Sequence, residues 1–361
     1  MKAEDPIVFG GPTVVSCRAP YGAGGLGRHF ARVVEIERAA GRLHRYFSIH
    51  PRPGDEGVGI RIGMPYVRPL IRMTPLRFLR GWKNYVVGDL FDRVVAARLE
   101  PSEGAFIGFV GKSLHSFRVA RAGGTRCLAL HVGNSHVRKI LRRHAAAYRQ
   151  WGLERSWLNA AQARKAIREY EMADLIFVNS AYTWASFVEE GVPESKLRRF
   201  RLEPDGRFVP PASRPDDDVF RVVYAGSLSV PKGIPVLVEA FTRLVGPARL
   251  TLVGTWSSRG MRRYLERARA RDPRIHVQPG DPLPHYQQAD VCVHPSYEDG
   301  FAYAPAEALA CGTPVVVTED TGMKELVREG ENGYIVPTGD VDALYERLAA
   351  LQRAKQGRIH V

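Results

Sequence analysis

The sequence predicts an α/β protein with two doubly wound, Rossmann-like domains. Stretches typical of β-strands alternate with stretches of helical periodicity along most of the chain, which favours parallel sheets flanked by helices. The 361 residues, 45% of them hydrophobic, provide enough material for two separate cores. A segment rich in proline and charged residues, 201–218, has no periodicity and separates the two halves. We therefore expect an N-terminal domain over residues 1–200, a linker over 201–218 and a C-terminal domain over 219–361.

The N-terminal domain is predicted to begin with a strand, a glycine loop and a helix. Residues 13–17 form a short β-branched run, and residues 26–39 carry apolar side chains at helical spacing. Residues 21–28, YGAGGLGR, have the glycine spacing of a dinucleotide-binding loop. The acid that such a loop requires about 20 residues later is missing, because the next strand, residues 43–49, runs into HPR. The loop is therefore more typical of a site where backbone amides bind an anion than of an NAD site. The interpretation as a tight turn that binds no ligand remains open.

The rest of the N-terminal half is less regular. Residues 54–91 are rich in glycine and basic residues and give no clear strand signal. Strands are predicted at 105–110 and 126–132, and a helix–strand–helix unit over 167–193. Residues 133–152 predict a basic amphipathic helix, which suits a membrane surface or a phosphorylated acceptor but is equally consistent with ordinary packing of its apolar stripe.

The second half alternates regularly between strands and helices, as expected of a doubly wound domain. Strands are predicted at residues 220–224, 249–253, 275–277, 291–294, 314–317 and 334–336. Helices are predicted at residues 236–244, 261–270, 285–289 and 306–310, and from residue 340 onward. Three consecutive aspartates in the linker resemble a metal-binding motif, but acids that follow an Arg-Pro pair are typical of a solvated linker, so no metal site is predicted.

The charge of the chain is divided unevenly. The formal net charge is +14, and residues 1–200 hold 32 Lys and Arg against 17 Asp and Glu, whereas residues 201–361 hold 20 against 21. A half-molecule this basic favours an anionic partner, such as a phospholipid surface or a phosphorylated acceptor, although a general role in solubility remains open. No nucleic-acid reader motif is present, so nucleic acid is not an expected partner.

The four cysteines show no CxxC pairing, so we interpret them as reduced thiols and not as metal ligands. The chain has no run of 18 uncharged apolar residues and no signal-peptide pattern. We therefore expect a cytoplasmic protein, with peripheral contact to the inner membrane face through the basic N-terminal domain as one option.

The most informative stretch is HPSYEDGFAYAPAEALACGTPVVV, residues 294–317. Pro305 suits the first turn of a helix, and Glu307 then lies near the positive end of that helix. Asp299 precedes Glu307 with seven residues between them, at the predicted carboxyl end of a parallel strand, where α/β sheets bind ligands. Carboxylates suit sugar hydroxyls and backbone amides suit phosphates. The stretch therefore predicts a site for a ligand that carries both.

This stretch resembles the retaining, nucleotide-sugar-dependent glycosyltransferases of the group 1, family 4 type. Their pattern E-G-F-G-L-x-x-x-E-A-x-A-x-G-x-P-V corresponds to D-G-F-A-Y-A-P-A-E-A-L-A-C-G-T-P-V here. VVYAGSLSVPKGIPVLVEAF in the second half and GAGGLGRH in the first half are also similar to this family. The resemblance implies the GT-B fold, in which two doubly wound domains face each other across a cleft.

The resemblance also implies a role for each matching residue. Glu307 would bind the ribose hydroxyls, Asp299 the hydroxyls of the donor sugar, and Lys232 the diphosphate. His131 matches the active-site histidine of the family, with His136 as a rival. Backbone amides of the two glycine-containing segments would assist at the diphosphate, namely those of Gly24, Gly25, Phe301, Ala302 and Tyr303.

Two positions depart from the family pattern. Asp299 stands where the family usually has Glu, so the contact with the donor sugar is expected to change. Ser227, at the diphosphate site, stands where the family usually has an Arg that shares this group with the Lys. Because a bidentate phosphate partner is thereby removed, another cation is needed, and Arg28 is a candidate.

The sequence as a whole predicts a retaining, metal-independent glycosyltransferase of the hexosyltransferase type. It would move a sugar from a nucleoside diphosphate sugar to the hydroxyl of an acceptor that is anionic or lipid-linked, with the donor as co-substrate and no cofactor. Two alternatives remain open: an isomerase of the nucleotide-sugar 2-epimerase type, and a non-catalytic relative that binds sugar nucleotides or anions.

Overall fold

The computed structural model describes residues 9–100 and 102–359, so the outermost residues of both predicted domains lie outside it. The described chain contains two parallel sheets, of seven and six strands, with helices in most of the connections between successive strands. The predicted α/β class with two doubly wound sheets is therefore confirmed.

The first sheet has the strand order β3-β2-β1-β4-β5-β6-β7, and every neighbouring pair is parallel. Its strands are β1 (Thr13–Ser16), β2 (Leu43–Ser48), β3 (Gly59–Arg61), β4 (Ala105–Phe109), β5 (Cys127–His131), β6 (Leu175–Val178) and β7 (Leu197–Arg199). The helices of this half are α1 (Gly24–Ala39), α2 (Val67–Met73), α3 (Arg80–Ala96), α4 (Leu114–Ala122), α5 (Val137–Trp151), α6 (Ala160–Met172) and α7 (Ala181–Glu189). Short 3-10 helices lie at Pro75–Phe78 and Glu194–Lys196.

The second sheet has the order β10-β9-β8-β11-β12-β13, again with all neighbours parallel. Its strands are β8 (Phe220–Ala225), β9 (Ala248–Val253), β10 (Ile275–Gln278), β11 (Val291–His294), β12 (Val315–Thr318) and β13 (Gly333–Val336). Its helices are α8 (Ile234–Thr242), α9 (Arg259–Arg271), α10 (Leu283–Gln288), α11 (Tyr303–Ala310) and α12 (Val341–Ile359), and a 3-10 helix spans Gly322–Leu326. The strand order reverses between β8 and β11, and such a switch point is where open α/β sheets bind ligands.

The chain forms two compact units. The first contains residues up to Arg138 together with Ser156–Asn179 and Thr183–Arg201. The second contains Lys139–Arg155, Ser180–Tyr182 and the chain from Leu202 onward. The basic amphipathic helix predicted at residues 133–152 is α5, and most of it therefore belongs to the second unit.

Residues 54–91, which gave no clear signal, form β3, α2, a 3-10 helix and the beginning of α3. The buried face of α3 explains why its periodicity was weak, because Gly81, Gly88 and Asp92 lie on it beside Phe91 and Val95. Glycine and aspartate contribute no apolar signal, so the helix has no apolar stripe to detect. None of the helices in the part of the chain that the structure describes is long and apolar enough to span a bilayer.

Candidate functional site

The loop after β8 presents Lys232 next to the chain segment that follows β11. Gly233 has a φ of +69°, in the left-handed region, and a Cβ at this position would lie 1.8 Å from the carbonyl oxygen of Pro295. Glycine alone combines this backbone conformation with so close an approach. The Lys-Gly pair therefore brings the loops of β8 and β11 together at the switch point of the second sheet.

Asp299 lies in the loop after β11 and is bonded on two sides. Its Oδ2 is 2.5 Å from Nζ of Lys232 and 3.1 Å from Nε2 of His294. Burial acts to raise the pKa of Asp299, but the Lys232 charge and the His294 hydrogen bond outweigh it, so the pKa lies well below its ordinary value. The carboxylate is therefore ionised and paired with the ammonium group that the sequence assigned to the diphosphate.

His294, the last residue of β11, was not predicted as a site residue. Its ring stacks on Tyr224, with centroids 6.1 Å apart and planes inclined by 8°. With Nε2 directed at the Asp299 carboxylate, the imidazole carries its proton there, and the buried Nδ1 has no hydrogen-bond partner among the described residues. His294 thus orients Asp299, at the cost of leaving one buried acceptor unsatisfied.

The turn into α11 is strained at Ala302. Its φ is +64°, and it is the single non-glycine residue with positive φ within 9–100 and 102–359. The family pattern has Gly at this position, so the chain keeps the backbone of the motif without the residue that adopts it most readily. The amides of Phe301, Ala302 and Tyr303 lie where the helix begins, and the first amides of a helix have no partner within it. This geometry suits an anion.

Glu307 lies on α11 and is 3% exposed. The hydroxyl of Tyr286, from α10, donates to its Oε2 over 3.3 Å. Burial raises the pKa of Tyr286 well above its ordinary value, so Tyr286 remains a donor. The carboxyl group of Glu307 is thus buried and accepts a hydrogen bond from a neutral hydroxyl.

Ser227 lies in the exposed turn after β8. Its carbonyl oxygen accepts a hydrogen bond of 3.0 Å from the hydroxyl of Tyr224. The short side chain cannot supply the guanidinium charge of the family's Arg.

Residues 139–155 hold the loops at the carboxyl end of the second sheet. Nε1 of Trp151 donates to the hydroxyl of Tyr297 over 2.9 Å, in the loop after β11. Oε1 of Glu154 accepts from the amide of Val230 over 2.8 Å, in the loop after β8. Arg143 forms an ion pair of 2.8 Å with Asp320, after β12. Residues 139–155, most of which belong to α5, therefore brace three loops of the candidate site.

The glycine loop of the first unit leads directly into α1. Gly24 and Gly25 are its exposed first residues, and Arg28 is half-buried one turn later. A Cβ on Gly27 would lie 2.3 Å from the carbonyl oxygen of Pro20, which explains a glycine at that position. Within residues 9–100 and 102–359 no side chain caps this helix through a hydrogen bond at Ala23, and its first turn holds no acid. The helix start therefore offers amides to an anion.

His131 ends β5 inside an aromatic cluster. It is 2% exposed, and its ring stacks on Phe177 with centroids 4.5 Å apart. Its Nδ1 is 3.0 Å from Nε2 of His29, on α1. Burial, and to a lesser degree the His29 charge, lowers the pKa of His131 well below its ordinary value, and burial lowers the pKa of His29 to about 3. Both imidazoles are neutral, so one of the two facing ring nitrogens carries the proton and donates it to the other.

His136 has different surroundings. It packs on Tyr170 and Phe187, with ring centroids 4.9 Å and 5.1 Å away. Its Nδ1 accepts from the amide of Arg138 over 3.3 Å. It lies beyond the end of β5, between α6 and α7.

The predicted site residues thus form one set in each unit. The first unit carries Gly24, Gly25, Arg28 and His131, and the second carries Ser227, Lys232, Asp299, Phe301, Ala302, Tyr303 and Glu307. The structure adds His29 to the first set and His294 and Tyr286 to the second. No cluster of three or more His, Cys, Asp or Glu side chains suited to a metal occurs among the described residues.

Comparison with known proteins identifies the class to which the second unit belongs. Residues 219–353 match the model of the family described as glycosyl transferases group 1. The resemblance seen in residues 299–315 is thereby confirmed.

Curated relatives carry related names. The chain is 31% identical over 188 residues to a putative colanic acid biosynthesis glycosyltransferase, WcaL, of Escherichia coli, covering 47% of this chain and 46% of that protein. It is 36% identical over 141 residues to the D-inositol 3-phosphate glycosyltransferase of Xylanimonas cellulosilytica, covering 36% and 33%. These matches span less than half of the relatives' length.

Solved structures match the fold over almost the whole chain. Sucrose-phosphate synthase from Thermosynechococcus elongatus has a TM-score of 0.67 at 20% identity, covering 97% of this chain and 94% of that one. HepE from Anabaena, solved in complex with UDP-glucose, has a TM-score of 0.64 at 17% identity, covering 96% and 94%. The predicted GT-B fold is confirmed, since the chain shares the two-sheet architecture of these proteins.

Proposed function

We propose that this protein transfers a sugar from a nucleoside diphosphate sugar to an acceptor hydroxyl, with retention of the anomeric configuration and without a metal. The observation that carries the proposal is the Lys232–Asp299 pair at the switch point of the second sheet, followed by Glu307 on the next helix. These groups suit the parts of one ligand: the ammonium group and the start of the helix suit a diphosphate, and the two carboxylates suit the hydroxyls of a sugar and a ribose.

Lys232 would change partners when the donor binds. Its charge is now paired with Asp299, and a diphosphate carries more negative charge than one carboxylate. A diphosphate oxygen would therefore share the ammonium, which would release an Asp299 oxygen toward a sugar hydroxyl. Charge develops on the leaving diphosphate during transfer, and Lys232 with the amides at the start of α11 is placed to stabilise it.

Because Ser227 supplies no cation, Lys232 should carry more of the diphosphate binding than it does where an Arg is also present. Arg28 remains our candidate for a second cation. His131, which is buried against His29, remains our candidate for the active-site histidine near the transferred sugar.

The donor and the acceptor are proposed as classes. The HepE structures contain UDP and UDP-glucose, which makes UDP-sugars the first donors to test. The excess of Lys and Arg in the first half supports an anionic or lipid-linked acceptor and a cytoplasmic site of action at the membrane surface.

Calorimetry with UDP tests the role of Lys232. Lys232→Gln should weaken UDP binding about tenfold or more, because a charge-assisted hydrogen bond to phosphate is lost. Lys324→Gln is the matched control, since Lys324 lies in the same unit after β12 and bonds the carbonyl oxygen of Glu319. Equal affinities of both variants and the wild type would contradict the assignment.

Turnover tests the transferase itself. After UDP-, GDP- and ADP-sugars have been screened by thermal shift, Glu307→Gln should lower transfer by more than tenfold with an unchanged unfolding midpoint. NMR of the product should show the anomeric configuration of the donor, and EDTA should leave the rate unchanged. Inversion, or a rate that requires a divalent ion, would refute the corresponding part of the proposal.

A further inference from the structure

Residues 64–83 form a surface that displays large apolar side chains to solvent. The segment contains α2, the 3-10 helix Pro75–Phe78 and the first turn of α3. Met73 is 84% exposed, Phe78 73% and Trp82 47%. Three further large side chains on the segment are also exposed, namely Tyr66, Leu70 and Leu79. Scattered exposed apolar residues are ordinary, but six within 17 residues mark an interaction surface.

The same surface is strongly basic. No Asp or Glu occurs between Glu56 and Asp89, and this stretch contains six cationic residues: Arg61, Arg68, Arg72, Arg77, Arg80 and Lys83. Arg72 and Arg77 are exposed, and the Arg77 guanidinium lies 4.6 Å from the ring centroid of Phe78. Apolar side chains and cations are therefore interspersed along the segment.

The segment is anchored to the first unit. Ile62, after β3, is 2% exposed, and Val67 at the start of α2 is 7% exposed. Gly81, in the first turn of α3, is also buried. The exposed side chains therefore belong to a segment whose backbone is held in place by buried residues.

The composition of this surface decides what can cover it. A second copy of the chain would place the five cationic residues within residues 64–83 against the same five, with no acid between them, which is unfavourable. A bilayer containing anionic lipid would accept the apolar side chains at its boundary while its headgroups pair with the arginines. The basic helix α5 offers no such face, because its apolar residues Val137, Ile140 and Ala147 are buried.

We propose that the surface formed by residues 64–83 docks the protein onto an anionic lipid bilayer, with Met73, Phe78 and Trp82 entering the headgroup boundary. The inference does not depend on the donor chemistry of the second unit. It assigns membrane contact to α2 and the start of α3.

Co-sedimentation with vesicles tests the inference. The full chain should bind vesicles of phosphatidylcholine that contain about one third phosphatidylglycerol, and it should dissociate from them as the salt concentration is raised. It should bind vesicles of pure phosphatidylcholine weakly or not at all. The variant Met73→Ser, Phe78→Ser, Trp82→Ser should lose affinity about tenfold or more, because three apolar contacts are removed. Arg72→Glu with Arg77→Glu should abolish the preference for anionic lipid.

Val245→Ser is the matched control, because Val245 is also 84% exposed but lies in the second unit. It should bind vesicles like the wild type. Equal binding of the triple variant and the wild type would overturn the proposal, as would binding indifferent to lipid charge. A dimer that the triple variant dissociates, without vesicle binding, would assign the surface to a second copy instead. The triple variant should retain UDP affinity, so failure here and failure of the transferase are distinguishable.

Discussion

Replacing Gly233 by alanine perturbs the contact that places Lys232. An alanine at a φ of +69° costs about 1–2 kcal/mol for the left-handed conformation. Its Cβ would also lie 1.8 Å from the carbonyl oxygen of Pro295, far inside van der Waals contact, and the enforced shift adds about 1–3 kcal/mol. We expect Gly233→Ala to lower the free energy of unfolding by about 2–5 kcal/mol and UDP affinity by about tenfold or more, because Lys232 moves with the loop.

Gly330→Ala separates the two contributions. Gly330 has a φ of +79° in the same unit, but nothing lies within 4 Å of its Cβ position. It should therefore show only the conformational cost, about 1–2 kcal/mol, and unchanged UDP affinity. Urea unfolding and calorimetry measure both quantities. If the two variants were equally stable and bound UDP equally well, the approach of the β8 loop to Pro295 would not be what positions Lys232.

Two further predictions concern strain and acid stability. Ala302→Gly should raise the free energy of unfolding by about 0.5 kcal/mol, since relief of the positive φ exceeds the entropy cost of glycine; a loss above about 1 kcal/mol would contradict the strain. Burial lowers the pKa of His29 from 6.5 to about 3, so its contribution to stability is complete above pH 6.5 and is lost as the pH falls toward 3. At about pH 5 this amounts to about 2 kcal/mol, and His29→Gln should remove it from the pH dependence of urea unfolding. An unchanged slope would refute the assignment.

The strands of the second sheet were predictable because they are short apolar runs bounded by glycine and proline. The structure shifts helices by a few residues only: the predicted helix at 236–244 is α8 at Ile234–Thr242. The elements within residues 54–91 could not be predicted, because the buried face of α3 contains Gly81, Gly88 and Asp92, which give no apolar periodicity. An edge strand such as β7, three residues long with two arginines, also lacks a detectable signal.

The candidate site was predictable where a motif carries it. Asp299 and Glu307 are found from their spacing, and Lys232 from the loop after a strand. The contacts of Asp299 could not be predicted, because Lys232 is 67 residues away in sequence. The role of His294 depends on the loop after β11 folding back toward that strand. His29 was visible in GAGGLGRH, but only the register of α1 against β5 brings it to His131.

The position of α5 could not be predicted from local pattern. Its amphipathic spacing identifies a helix, but it does not show whether the apolar face of that helix packs against the first or the second unit. Trp151 and Tyr297, which join it to the loop after β11, are 146 residues apart. Such pairings are decided by tertiary packing, which a single sequence does not display.

A crystal structure with a bound UDP-sugar tests the central claim most directly. We expect the diphosphate within hydrogen-bond distance of Nζ of Lys232 and the amides at the start of α11, the ribose hydroxyls on Glu307, and an Asp299 oxygen on the sugar. A diphosphate bound elsewhere, with Lys232 still paired to Asp299 alone, would contradict the account.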